Sequence, residues 1–170
     1  MSERRRRVDE ILDPKYLDGV ADRPLDELSV MHDECLEVET EISYVRRLAQ
    51  ARIDILRAEL ERRAAGGSIG DLISALPQIL VEDHPRPAPA DSRLPRHLSP
   101  APDIQWQRGL EHLVNDATLA NLPTLADDVL RTTLDKLGEL EEETSTRRRT
   151  LHRVIDAIDA ELAARHVAHG

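Results

Sequence analysis

Ten apolar residues, Leu28, Met31, Cys35, Val38, Ile42, Val45, Ala49, Ile53, Leu56 and Leu60, follow one another at steps of three and four. A stripe that narrow covers one seam of an α-helix, so the stretch cannot bury itself and has to pack against another helix. One extra step of four, between Ala49 and Ile53, reads as a stutter that changes the supercoil locally without ending the helix. Composition agrees: with no Phe, one Trp and two Tyr, the chain lacks the aromatic mass of a rounded core. Its Leu, Ala, Glu and Arg suit long helices packed through a seam. The expected fold is all-α, an antiparallel, coiled-coil-like helical hairpin with short accessory helices and a Pro-rich linker.

The punctuation divides the chain into four parts. Residues 1–23 carry a basic run and the turn signals "DP" and "DG", and are expected to form a flexible N-terminal arm. The first long helix is expected over 24–65, with Pro24 in its first turn, Asp22 as the capping side chain, and Gly66 and Gly67 ending it. Residues 66–122 should hold short helices, the first capped by Ser68 and bent or shortened by Pro77. Within this part Glu82 to Pro102 is a Pro-rich linker, and the segment around Trp106 is a second short helix suited to docking on the long pair. The second long helix is expected over 123–168.

Several function classes are excluded by what the sequence carries. A net charge of −10 disfavours non-specific nucleic-acid binding, so no direct DNA contact is expected, although a local basic patch could hold a small anion. No apolar run approaches the roughly 18 residues of a membrane span, and none forms a signal-peptide core, which gives a cytoplasmic address. The single Cys35 forms no internal disulfide. There is no Gly-rich phosphate loop and no nucleophile–base pattern, and His32, His84, His97, His112, His152, His166 and His169 are scattered without metal-ligand spacing. An enzyme is therefore not expected.

A polar pattern keeps step with the seam. Glu39, Ser43, Arg46, Gln50 and Asp54 each lie one position after a seam residue. Shifting the chain by 102 residues lays "ETEISYVRRLAQARIDILRAELERR" over "EEETSTRRRTLHRVIDAIDAELAAR", with 11 of 25 positions identical. The ladder recurs as Glu141, Ser145, Arg148, His152 and Asp156, with His in place of Gln. The seam recurs as Leu140, Thr144, Arg147, Leu151 and Ile155, in which Thr144 and Arg147 depart from the apolar pattern. On a helix, offsets of 0, 4, 7, 11 and 15 fall within an arc of about 80° and along ~22 Å of axis, so each ladder is one straight stripe. Parallel pairing would put the two stripes on opposite faces. Antiparallel pairing puts both in one groove.

Paired arginines, hydroxyls, amide and imidazole groups, and carboxylates with near two-fold symmetry suit a symmetric guanine nucleotide. Arg46 and Arg148 can fork onto phosphate oxygens or onto guanine O6 and N7, and Asp54 and Asp156 can accept the N1 and N2 protons. Ser43 and Ser145 can donate to phosphate, while Gln50 and His152 can hydrogen-bond or stack on a base. The competing readings are a solvated coiled-coil flank and a structural or adaptor coiled coil that binds a partner helix without nucleotide. The matched register of the two ladders, and the like charges in Arg46–Arg47 and Arg148–Arg149, favour a liganded groove.

The pattern Glu39-x3-Ser43-x2-Arg46-x3-Gln50-x3-Asp54 and its second copy resemble the cyclic-di-GMP signature of the RsiG anti-sigma factors of sporulating filamentous bacteria, also labelled aerial mycelium formation proteins. "LDPKYLDGVADRPLDELSVMHDECLEVE" and "ISYVRRLAQARIDILRAEL" are similar to that family as well. The resemblance implies that the ten ladder residues bind cyclic di-GMP, as an intercalated dimer, on an antiparallel helical pair. It further implies that the liganded protein sequesters a WhiG-class, flagellar-type sigma factor. His152 in place of Gln adds a titratable group to that pattern.

Overall fold

The computed structural model describes residues 7–80 and 121–168. They form helix α1 (Arg7–Ile11), a 3₁₀ turn (Val20–Asp22), helix α2 (Leu25–Ala64), helix α3 (Ile69–Leu80), a second 3₁₀ turn (Leu122–Thr124) and helix α4 (Asp127–Ala168). Among the described residues there is no strand. The expectations for the linker Glu82 to Pro102 and for the helix around Trp106 lie outside them.

Helix α2 starts one residue later than expected and in a different way. Leu28 N donates to the carbonyl of Pro24 at 3.1 Å, so Pro24 stands just ahead of the helix, while Asp22 belongs to the preceding 3₁₀ turn. The far end closes as the sequence indicates. Gly66 takes a φ of 70°, and Gly67 N and Gly66 N donate to Arg62 O (2.9 Å) and Arg63 O (3.1 Å). That pair of bonds satisfies two of the carbonyls that a helix end leaves open, and the left-handed turn needs the missing side chain of Gly66. Ser68 then caps α3 reciprocally: its backbone N and its Oγ donate to Asp71 Oδ2 at 2.6 and 2.9 Å, and its Oγ accepts from Asp71 N at 3.4 Å. Pro77 sits inside α3 without ending it.

The described residues fall into two compact units. The first is built from the N-terminal segment, α2 as far as Tyr44, and α4 from Glu143 onward. Its buried residues are Ile11, Leu28, Met31, Cys35, Val38 and Ile42 against Thr144, Leu151, Val154, Ile155 and Ile158. The helices run antiparallel here: His32 Nε2 lies 2.9 Å from Asp159 Oδ1, and Glu39 meets Arg148 further along. Thr144 occupies its seam position at 2% exposure. Arg147 instead reaches sideways from the seam to Glu143 Oε1 at 2.7 Å, keeping its charged head at the edge.

The arm expected to be loose is docked from residue 7 onward. Ile11 is buried, Arg7 Nη1 pairs with Glu37 at 2.9 Å, and Arg165 donates to the backbone oxygens of Val20 (3.2 Å), Ala21 (2.8 Å) and Arg23. One guanidinium thus binds three carbonyl oxygens in and just after the 3₁₀ turn and seats the arm on α4.

The second unit comprises residues 45–142. Its core joins Val45, Ala49, Ile53 and Leu56 of α2, Leu72 of α3, Leu122, and Leu130, Leu137 and Leu140 of α4. The pairing is antiparallel here too, with Arg46 opposite Glu141 and Arg63 opposite Asp127. After the stutter the seam shifts: Leu60 is only half-buried, and Glu59 is buried completely in its stead.

Candidate functional site

In each unit a residue of one ladder meets its opposite number from the other. In the first unit Glu39 is the hub. Its Oε1 accepts from Ser43 Oγ at 2.7 Å and from Arg148 Nε at 3.0 Å, and lies 3.3 Å from His152 Nε2. Arg148 Nε also donates to Ser43 Oγ at 3.0 Å. Burial by itself would push the Glu39 carboxyl up, but the bonds from Ser43, Arg148 and His152, with the Arg148 charge behind them, outweigh it and hold the carboxyl below its ordinary value. Glu39 is therefore an anion at neutral pH, in a place where an uncompensated charge would be costly.

The second unit carries the mirror arrangement in looser form. Arg46 Nη1 is 3.6 Å from Glu141 Oε1 and donates to Gln50 Oε1 at 3.4 Å. Arg46 Nε is buried and without a hydrogen-bond partner among the described residues. The ladder residues Ser43, Gln50 and Asp54 of α2 and Ser145 of α4 are half-buried, whereas His152 and Asp156 are exposed. The structure thus brings together Glu39, Ser43, Arg148 and His152 in one unit, and Arg46, Gln50 and Glu141 in the other. Asp54 and Asp156 stand apart from these contacts at the far ends of their stripes.

The helix explains the placement. Each ladder trails the seam by one position, about 100° round the axis, so its side chains flank the buried stripe instead of entering it. Residues three and four apart then stack along the flank, which is why Ser43 reaches Glu39 and Gln50 reaches Arg46.

A second carboxylate cluster escapes the sequence reading. Glu59, 0% exposed, accepts from Arg62 Nε (2.7 Å, Oε2), Arg62 Nη2 (2.8 Å, Oε1) and Arg63 Nε (2.6 Å, Oε1). Arg63 continues to Leu122 O (2.9 Å), Leu125 O (2.7 Å) and Asp127 Oδ1 (2.7 Å), and Arg62 to Gly67 O (2.5 Å). The bonds from Arg62, set against burial and joined by those from Arg63, bring the Glu59 carboxyl down to about 2. The signal available in the sequence is Glu59 followed at three and four residues by Arg62 and Arg63.

Burial pushes the thiol of Cys35 up to about 11, which leaves it a thiol and not a nucleophile. Among the described residues no group of His, Cys, Asp or Glu is placed to hold a metal ion, and no helix is long and apolar enough to cross a membrane.

No curated protein matches the chain. A family model described as RsiG-like matches residues 14–80 and 116–170, which include both long helices and all ten ladder residues. With more than half of its residues matched, the chain belongs to the RsiG-like family.

Proposed function

We propose that this protein is an anti-sigma factor that binds cyclic di-GMP through its two ladders and, so liganded, sequesters a WhiG-class, flagellar-type sigma factor. Family membership supports the anti-sigma role, which is regulatory and not catalytic. The observation that carries the ligand is the reciprocal pairing: an arginine of the second ladder faces a glutamate of the first in one unit, and the reverse holds in the other. Cyclic di-GMP has the matching chemistry, since its two guanines and two phosphates repeat the same acceptor and donor set twice.

In this reading Arg46 and Arg148 fork onto guanine O6 and N7, or onto phosphate oxygens. Asp54 and Asp156, outside the internal contacts, accept the N1 and N2 protons of guanine. Ser145, Gln50 and His152 complete the polar lining. The net charge of −10 complements the basic surfaces with which a sigma factor binds promoter DNA and core polymerase, so the same chain can compete for them. Coupling between ligand and partner requires that the liganded form bind the sigma factor more tightly than the free form does.

Pull-down with a WhiG-class sigma factor, with and without cyclic di-GMP, tests the regulatory half. Retention that increases with nucleotide is the expected result. Absence of association at saturating nucleotide, in a protein that binds its ligand, contradicts the partner and leaves a nucleotide receptor. Association that ignores the nucleotide points to a ligand-independent adaptor.

A further inference from the structure

A guanidinium has five N–H donors, one on Nε and two on each Nη. Which of them are engaged inside the protein decides which edge can read a ligand. Arg148 is held through Nε, by Glu39 Oε1 and by Ser43 Oγ, both at 3.0 Å. Its side chain is 38% exposed, while that of Glu39 is 23% exposed. The anchored atom is the one nearer the backbone, and the Nη pair forms the terminal, outer edge of the same rigid plane. That edge is the one whose two parallel donors match guanine O6 and N7.

The arrangement differs from a carboxylate that merely occupies the arginine in the ligand's place. A competing carboxylate would take two parallel donors of the fork, the geometry of a bidentate pair. Glu39 instead gathers Ser43, Arg148 and His152 on a single oxygen, and Ser43 shares the Nε of Arg148. Fixing one nitrogen of a planar group by two acceptors sets the direction of the other two.

We infer that Glu39, with Ser43, is a positioning residue that fixes Arg148 through Nε and presents its outer nitrogens to a guanine of the ligand, an inference that rests on reading the ladders as a cyclic-di-GMP receptor. Glu39 and Ser43 therefore bear on the guanine through Arg148. Arg46 lacks an equivalent anchor, since its Nη1 is the atom engaged and its Nε is the buried atom without a partner. The two copies of the motif are thus unequal before ligand arrives: Arg148 is preset, and Arg46 has to turn.

A double-mutant cycle read by calorimetry with cyclic di-GMP tests this. Glu39→Ala should weaken binding about tenfold, and Glu39→Gln, which keeps an oxygen acceptor at the same reach, should recover part of the loss. In an Arg148→Ala background, Glu39→Ala should add less than about twofold. Glu141→Ala should cost less than Glu39→Ala. Tighter binding in Glu39→Ala would show a competitor, and an equal loss in both backgrounds would show a role outside Arg148; either overturns the inference. A readout without ligand separates this inference from the functional reading on which it stands. The Nε–H proton of Arg148 should exchange slowly in the free protein by NMR and fast in Glu39→Ala. Slow exchange together with no heat from cyclic di-GMP rejects the receptor, and with it the guanine as what Arg148 presents. Nucleotide binding with a fast-exchanging Nε–H rejects the positioning role alone.

Discussion

Glu39 and Glu59 both collect arginines, yet they do so in opposite ways. Glu59, in the second unit, is fully buried, and both of its oxygens are taken by Arg62 and Arg63 of its own helix. Those arginines go on to backbone oxygens and Asp127, which ties the end of α2 to the start of α4. Glu39, in the first unit, keeps partial exposure and receives Arg148 across the helix pair through one nitrogen. The Glu59 cluster is saturated and the Glu39 cluster is open. A saturated buried network specifies a fold, because removing one member strands the rest. A network with a donor edge left over has a group to offer a ligand.

That contrast yields opposite mutational signatures. Glu59→Ala should destabilise the fold by about 3 kcal/mol in chemical denaturation, since it leaves two guanidinium groups without their shared anion. Cyclic-di-GMP affinity measured on the remaining folded protein should change little. Arg148→Ala should do the reverse, weakening the nucleotide by about 1–3 kcal/mol, roughly tenfold to a hundredfold, while leaving stability within about 1 kcal/mol. A variant at either position that moved both quantities together would erase the distinction.

Acid sharpens it further. The Glu59 carboxyl titrates at about 2, against an ordinary value of 4.5, so the folded state binds its proton less readily than the unfolded chain. The stabilisation is fully present above the ordinary value and is lost as pH falls towards about 2. Glu39 is lowered in the same sense, so its contribution has the same sign. Denaturation midpoints in Glu59→Gln should accordingly fall less steeply below pH 4.5 than those of the unaltered protein. The smallest effect belongs to His152, which is exposed and 3.3 Å from Glu39. His152→Gln restores the residue of the first ladder and should change nucleotide affinity by less than about threefold at neutral pH, by calorimetry.

The two clusters also differ in how far the sequence exposes them. The seam from Leu28 to Leu56 and the ladders beside it are legible because helical periodicity is a local property, fixed by steps of three and four. The antiparallel pairing follows from the repeat, and in each unit Glu and Arg of opposite ladders meet. Glu59 is not legible as buried. Leu60 satisfies the apolar spacing better, and the buried carboxylate is met by Arg63, which is itself held by the carbonyls of Leu122 and Leu125 far along the chain. The same holds for the N-terminal segment: its turns look loose until Arg165, more than a hundred residues away, binds their carbonyls. Nor does spacing reveal that Glu39 and Ser43 face Arg148, since that depends on the register between helices.

In the proposed function the two ladders form a receptor for cyclic di-GMP. Calorimetry of the unaltered protein with cyclic di-GMP measures that directly, because it reports the number of ligands as well as the affinity. Saturable binding at two nucleotides per chain, lost or weakened in Arg148→Ala, is the result expected. No heat of binding from cyclic di-GMP, or binding that survives the removal of both Arg46 and Arg148, would contradict it.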